Sequence, residues 1–326
     1  IKRLVENPGT LQVLDFAEGK AQLVCVRARH GGMLVGHQLR ELRNHLPDTE
    51  VRVAAIFRRD HPLTLTGNTV IEVNDEVFFV AARHRIRAMM SELQRLEAGY
   101  SKVVIAGGGQ VGERLAEALE SRCQVKIIET SPARCRHLAN RLDSSVVLQG
   151  NASDRELLLE ENIDQADLFI AVTNDDDANI MSSLLAKRIG VRKVMALINN
   201  PAYVDLMQGG AIDIAISPQL ATLSVLLAHV RKGDVVSVHS LRRGAAEAIE
   251  AVAHGDEKTS KVVGRMIREI RLPRGAAIGA IIRDDEVIMA EKDTRIVSGD
   301  HIILFVVDKK HIPAVERLFQ VGLSFF

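Results

Sequence analysis

The segment Lys102-Val-Val-Ile-Ala-Gly107-Gly108-Gly109-Gln110-Val111-Gly112 admits few folds. After Lys102 the residues are apolar and mostly β-branched without alternation, the pattern of a strand in a parallel sheet covered on both faces. Gly107, Gly109 and Gly112 then stand at the spacing G-x-G-x-x-G. The first permits a sharp turn, the second lets backbone N–H groups approach a pyrophosphate, and the third lets a helix pack close to the strand. The helix N-terminus offers unpaired donors and a positive dipole end to phosphate.

The surrounding sequence fits that reading. Glu113–Leu119 places Leu115, Ala116 and Leu119 on one helical face. A second strand, Gln124–Glu129, ends in an acid about 20 residues beyond the turn, where such folds hold a carboxylate for the ribose hydroxyls. A plain strand–helix corner and a solvated strand end would explain the glycines and Glu129 separately, but not their spacing. A carboxylate at Glu129 also disfavours a 2′-phosphate, so NAD is expected over NADP.

Around this motif, residues 100–231 alternate strand and helix. Strands are expected at Lys102–Ala106, Gln124–Glu129, Ser145–Leu148, Leu168–Val172, Lys193–Ile198 and Asp213–Ile216. That order predicts an α/β fold, a Rossmann-like doubly wound parallel sheet. Ser217-Pro218 reads as an N-cap and first helical residue. The helix that follows carries Leu220, Leu223, Leu227 and Val230 along one face and can cross to a partner subunit.

Two small α+β domains flank this unit, at residues 1–97 and 232–326. In the first, Ile1–Val5 reads as a helix tail, Leu11–Phe16, Ala21–Arg27, Val51–Arg58, Thr69–Val73 and Glu76–Ala82 as strands, and Leu34–Leu42 and Ile86–Leu96 as helices. The last domain repeats the first. Ala55, Ile56, Arg58, Asp60, Thr69, Ile71 and Asp75 match Ala280, Ile281, Arg283, Asp285, Thr294, Ile296 and Asp300 at one constant offset. Val35-Gly36 and Arg40-Glu41 match Val263-Gly264 and Arg268-Glu269 at a slightly larger one, because the first copy has the longer turn at Asn44–Glu50. The helix tail at Ile1–Val5 occupies the place that Leu226–Val230 holds before the second copy. The expectation is a further nucleotide-binding domain upstream in the full protein.

Further candidate contacts lie at the ends of later strands. In Gln149-Gly150-Asn151-Ala152-Ser153 the turn borders an adenine site, with the Asn151 amide facing the base and Ser153 capping the next helix. Thr173 and Asn174 follow strand four beside the switch point and can bond ribose or phosphate oxygens. Asp175, Asp176 and Asp177 most simply favour the next helix N-terminus through its dipole. They lack the D-x-D-x-D-G spacing of a calcium loop, and no metal is expected.

Composition removes several classes. The chain of 326 residues carries no net charge and is 47% apolar but 3% aromatic, without Trp. Neither the basic footprint nor the stacking platforms of nucleic-acid binders are present. No apolar run reaches the ~18 residues of a membrane span. Cys25, Cys123 and Cys135 show no C-x-x-C spacing, as expected of thiols in a reducing compartment. Hydride transfer needs an acid/base group beside a nicotinamide. Tyr203 lacks the lysine of a Tyr-x-x-x-Lys pair, and His137, His229, His239, His254 and His301 share no motif. The nucleotide therefore reads as an effector and the chain as a non-enzyme, with no catalytic residue.

These residues resemble a known family. Ile105–Gly112, Gln149–Ser153, Ala171–Asp176 with Asn179, and Asn199-Asn200-Pro201 are similar to the RCK/TrkA-N domain, and the small repeats are similar to the TrkA-C domain. Their order resembles the bacterial Trk potassium-uptake regulators. The resemblance implies a cytosolic subunit, peripheral on the inner face of the membrane, that forms a homotetrameric ring and gates a TrkH-type potassium channel or transporter. It implies NAD or NADH as ligand, and ATP or ADP, held by Gly107, Gly108, Gly109, Gln110, Val111, Glu129, Thr173 and Asn174, with Gly112, Asn151 and Ala152 around them. Many relatives carry an arginine at the position of Leu197 and an aspartate at that of Asn151, departures that bear on phosphate neutralisation and the adenine contact. An NAD-dependent oxidoreductase with accessory domains, or the gating ring of another potassium channel or exchanger, stand as alternatives.

Overall fold

A computed structural model describes residues 1–47, 50–207, 210, 212–230, 234–241 and 245–320. They fall into two units, Ile1–Pro8 with Ala98–Gln219 and Gly9–Glu97 with Leu220–Phe326.

In chain order, α1 (Lys2–Glu6) precedes β1 (Thr10–Phe16), β2 (Ala21–Arg27), α2 (Leu42–His45), β3 (Val51–Arg58), β4 (His61–Pro62), β5 (Glu76–Ala82) and α3 (Ile86–Leu93). The five strands form an antiparallel sheet in the order β1-β2-β5-β3-β4. Three elements differ from expectation. Residues 34–42 are not a helix. Gly36 sits at φ +90° and donates to the Ile71 carbonyl, Val35 bridges to Ile71, and only a single 3-10 turn, Leu39–Glu41, precedes α2. The apolar spacing there is helical, but the backbone bonds go to a neighbouring segment instead. That neighbour, Thr69–Val73, holds only isolated bridges rather than a strand. Finally, α3 stops at Leu93 because the carbonyls of Glu92 and Leu93 accept from Leu34 and Arg29, and Gln94 turns extended.

The parallel unit runs β6 (Lys102–Ala106), α4 (Gln110–Leu119), β7 (Gln124–Glu129), α5 (Pro132–Arg141), β8 (Val146–Gln149), α6 (Arg155–Glu160), β9 (Leu168–Ala171), α7 (Asp176–Ile189), β10 (Lys193–Leu197), α8 (Pro201–Met207) and β11 (Ile214–Ile216). Its sheet order is β11-β10-β9-β6-β7-β8, all parallel. This is the Rossmann order, and its switch point lies between β6 and β9. Both faces are covered. Val103, Ile105, Val125 and Ile127 pack with Leu115, Leu119 and Leu138 of α4 and α5. Val104, Ala106, Ile128 and Phe169 face Leu158, Ile180 and Ala186 of α6 and α7. Two-sided burial is why these strands read as unbroken apolar runs. From the N-terminal segment, Val5 of α1 joins the α4 face and Glu6 pairs with Arg122 at 3.0 Å.

Helix α9 (Pro218–Val230) follows, and none of its residues is buried. Leu223, Val225, Leu226 and Val230 are exposed.

The second small domain comprises β12 (Val235–Leu241), β13 (Ala246–Val252), β14 (Ala276–Arg283), β15 (Glu286–Met289), β16 (His301–Val306) and α10 (Ile312–Glu316). Its order, β12-β13-β16-β14-β15, copies that of the first. The copy extends to irregularities. Bulges fall between Thr10/Gln12 and Val235/Ser237, and again between Val53/Ala55 and Ile278/Ala280. Within their common unit the two sheets share one core, in which Phe16, Leu23, Phe57 and Phe78 meet Leu241, Ile282, Ile303 and Phe305.

The repeated arginines have the same duty in each copy. Arg58 makes paired bonds to Asp75 at 2.9 and 2.8 Å and reaches the Val70 carbonyl. Arg283 does the same with Asp300, at 2.8 and 2.9 Å, and the Arg295 carbonyl. Both aspartates are 1% exposed. Removing either arginine strands a buried carboxylate, which costs about 3 kcal/mol. Arg58→Leu and Arg283→Leu are therefore each expected to destabilise this unit by about 3 kcal/mol in chemical denaturation; losses under about 1 kcal/mol would reject the shared role.

Candidate nucleotide site at the glycine turn

The expected residues converge at the carboxyl ends of β6 to β9. Gly107 leaves β6 at φ +107°, a conformation that suits glycine, and its N–H bonds the Ile128 carbonyl at 2.9 Å. A Cβ there would lie 2.9 Å from the Thr173 nitrogen. One at Gly108 would strike Leu138 at 2.5 Å, and one at Gly112 would lie 1.9 Å from the Gly107 oxygen. Gly107 and Gly112 are thus required by the chain's own packing, because backbone atoms stand in the way, whereas at Gly108 the obstacle is the end of the Leu138 side chain. Gly109 meets neither obstacle. Its φ is −65°, and a Cβ on it would meet nothing within 4 Å.

Gly109 is the N-cap of α4, and no side chain caps that helix. The three helices that follow are each capped from within: α5 by Ser131, α6 by Asp154 and α7 by Asp175. Ser153 was expected to cap α6; the cap is Asp154, whose carboxylate accepts from Glu156 and Leu157. Gly109, Gln110 and Val111 are exposed at the open end of α4. Backbone donors of a helix N-terminus without a cap are suited to an anion.

Glu129 closes the second side. Its Oε2 accepts the Gly108 N–H at 2.8 Å, and its Oε1 accepts the Ser131 N–H at 2.8 Å and the Thr130 hydroxyl at 3.2 Å. Burial pushes its pKa up, but the N–H groups of Ser131 and Gly108 outweigh it and hold the carboxyl below its usual range. The ionised carboxylate keeps further acceptor lone pairs. The Gly150 N–H bonds the Glu129 carbonyl at 2.9 Å, which places Asn151 at the same edge. Asn151 turns its own oxygen to the Ser153 N–H at 2.9 Å, while Ala152 packs against the core.

On the fourth strand Thr173 is already engaged. Its N–H and hydroxyl both donate to Asn179 Oδ1, at 2.8 and 2.7 Å. Asn179 is fully buried, and its amide donates to the carbonyls of Thr173 and Leu197. It ties the ends of β9 and β10 together. Asn174 beside it is exposed. Asp176 accepts from Asn199 and Asn200 and braces the loop after β10, leaving Asp175 as the cap. Among the described residues, no group of three or more His, Cys, Asp or Glu side chains is placed to hold a metal.

Two residues absent from the sequence expectations stand at the turn. Arg134 of α5 donates from Nε to the Gly108 carbonyl at 2.5 Å and from its Nη2 to Glu113. Glu113, in the first turn of α4, also accepts from His137 at 3.1 Å. The bonds from His137 and Arg134 hold its carboxyl below the usual range. The signal for this pairing was the spacing of Arg134 and His137 on one face of a helix after the acid-ended strand, which has meaning only once α4 and α5 are known to be neighbours.

A parallel sheet in Rossmann order, a glycine turn and a strand-end carboxylate define a nucleotide-binding class, here joined to a pair of small antiparallel domains. Comparison with known proteins is specific. The TrkA-N domain model matches residues 103–218, and the TrkA-C domain model matches residues 23–94 and 257–320. The Trk system potassium uptake protein TrkA of Halomonas elongata is 62% identical over 326 residues, all of this chain and 71% of that protein. That of Vibrio alginolyticus is 58% identical over 320 residues, 98% of this chain and 70% of that protein. Among solved structures, the GsuK channel has a similar fold, with TM-score 0.50 and 19% identity over 98% of this chain and 56% of the other. The chain belongs to the TrkA family of Trk potassium uptake proteins.

Glu129 generates a signed prediction. A carboxyl with lowered pKa contributes stability above its unfolded value, near 4.5, and that contribution is lost as pH falls through the folded value. Glu129→Gln lacks the titrating group. The gap in thermal midpoint between wild type and Glu129→Gln is expected to narrow as pH falls from about 6 to below about 4. A gap independent of pH would show that these bonds do not favour the ionised form.

Proposed function

We propose that this chain is a nucleotide-sensing regulatory subunit of a potassium uptake system, with NAD or NADH as effector at the glycine turn and ATP or ADP as further ligands. Gly109 carries the reading. It is the one glycine of the motif with neither a backbone nor a packing need, and it stands at the uncapped end of α4. Open space at that position suits the close approach of a pyrophosphate to main-chain donors. In the bound state the N–H groups of Gly109, Gln110 and Val111 would hold the phosphates, with Gly107, Gly108 and Gly112 shaping the turn. Glu129 would take the ribose hydroxyls, Asn151 and Ala152 would border the adenine, and Thr173 and Asn174 would face the phosphate side. The carboxylate at Glu129 argues for NAD over NADP.

The ligand acts here as a signal. A nucleotide that prefers one conformation of the assembly shifts its population, and the membrane partner reads the difference. The relatives are named as potassium uptake proteins, which supports a TrkH-type potassium-translocating protein as partner. No described helix is long and apolar enough to cross a membrane, in keeping with a peripheral subunit on the cytoplasmic side. The exposed apolar side chains of α9 support a homo-oligomer, and the family points to a ring of four.

Gly109→Asp tests the site. Aspartate is a good N-cap, so the thermal midpoint should hold or rise, while a carboxylate against the pyrophosphate should weaken NADH by about tenfold or more in calorimetry. Unchanged affinity would reject the assignment. Oxidation of NADH on addition of carbonyl substrates would replace the signalling role with catalysis. For the partner, membranes carrying a TrkH-type protein should retain the chain in a pull-down, and release should depend on nucleotide. Equal retention by membranes without it would reject that partner.

A further inference from the structure

We propose that Arg134 is a positioning residue for phosphate binding, acting through the Gly108 peptide and resting on the nucleotide reading of the site. Gly108 is held at both of its backbone groups, which lie in successive peptides, and the second of these also carries the Gly109 N–H. The Gly108 N–H donates to Glu129 at 2.8 Å and its carbonyl accepts from Arg134 Nε at 2.5 Å. In a planar trans peptide the carbonyl and the next N–H point to opposite sides. An anchor on the Gly108 carbonyl therefore fixes the direction of the Gly109 N–H, the donor at the open position of the turn. Without the anchor, that peptide is free to rotate in a glycine-rich segment, and its donor is no longer pre-aimed.

The guanidinium is itself held. Glu113 takes its Nη2, and the same carboxylate is bonded by His137 at 3.1 Å, with Arg141 4.0 Å away. Arg141 also meets Glu117 at 2.8 Å. Arg134, His137 and Arg141 thus form one face of α5 against Glu113 and Glu117 of α4. The arrangement transmits the packing of two helices to a single peptide plane. It also neutralises Glu113, which in the first turn of α4 would otherwise oppose an anion. Leu138, on the same helix, fills the space where a Gly108 side chain would go.

Calorimetric titration of the full chain with NADH, ADP and adenosine compares wild type, Arg134→Ala and Arg134→Lys. The alanine variant should bind NADH and ADP about tenfold more weakly and adenosine within about twofold of wild type, because only the first two present phosphate to the Gly109 donor. Lysine keeps one charged donor and should recover part of the loss. Equal losses for all three ligands, or none, would overturn the role. A second readout needs no ligand: in nitrogen–proton correlation spectra the Gly109 amide should move in Arg134→Ala and return part of the way in Arg134→Lys. An unmoved amide would overturn it too. Were wild type to bind neither NADH nor ADP, the nucleotide reading would fall, and the Gly109 amide would still decide whether Arg134 sets that peptide.

Discussion

The parallel unit depends on one tight passage, the exit of the chain from β6. Gly107 turns at positive φ while the ends of β7 and β9 close on either side, with the Ile128 carbonyl taking its N–H and the Thr173 nitrogen 2.9 Å from where a side chain would start. Any larger residue would push β9 away from β6 at the switch point. Because the turn is so crowded by its neighbours, Gly109 and Gln110 emerge on the open side with no side chain capping the helix they begin. The architecture that makes the strand–helix corner possible is the same one that leaves the N-terminus of α4 open.

Around that passage the polar groups divide into two kinds. Asn179, Asp154, Asp175 and Asp176 spend their hydrogen bonds on the chain, closing helix ends and tying strand ends together. Glu129 and Arg134 bond main-chain groups of the glycine turn itself. Thr173 belongs more to the first kind than its place at the strand end suggests, since Asn179 already accepts from its N–H and hydroxyl. A residue at the ligand edge of an α/β sheet can thus be there to keep the edge rigid.

The small domains present the complementary case. Their repeat was legible in the spacing of Arg58, Asp60, Thr69 and Asp75 against Arg283, Asp285, Thr294 and Asp300, and the strand orders and bulges agree. The helix read at residues 34–42 was not what forms, because apolar spacing reports which residues are inside, not where the backbone bonds go. Gly36 sends its N–H to Ile71, a partner far along the chain. The strand read at Thr69–Val73 was lost for the same reason, since it serves that loop by single bridges.

Sequence by itself determined the features that are local or periodic. These are the unbroken strands, the glycine turn with its acid on the next strand, the order of domains and the internal duplication. Each is written in neighbouring residues or in a fixed register, so no distant contact is needed to read it. Tertiary structure alone decided that the two small sheets share a core, that Asn179 ties the ends of β9 and β10 together, and that Arg134 grips the carbonyl of Gly108. Those depend on which faces meet, and a side chain's partner across a fold is set by packing that no spacing along the chain encodes.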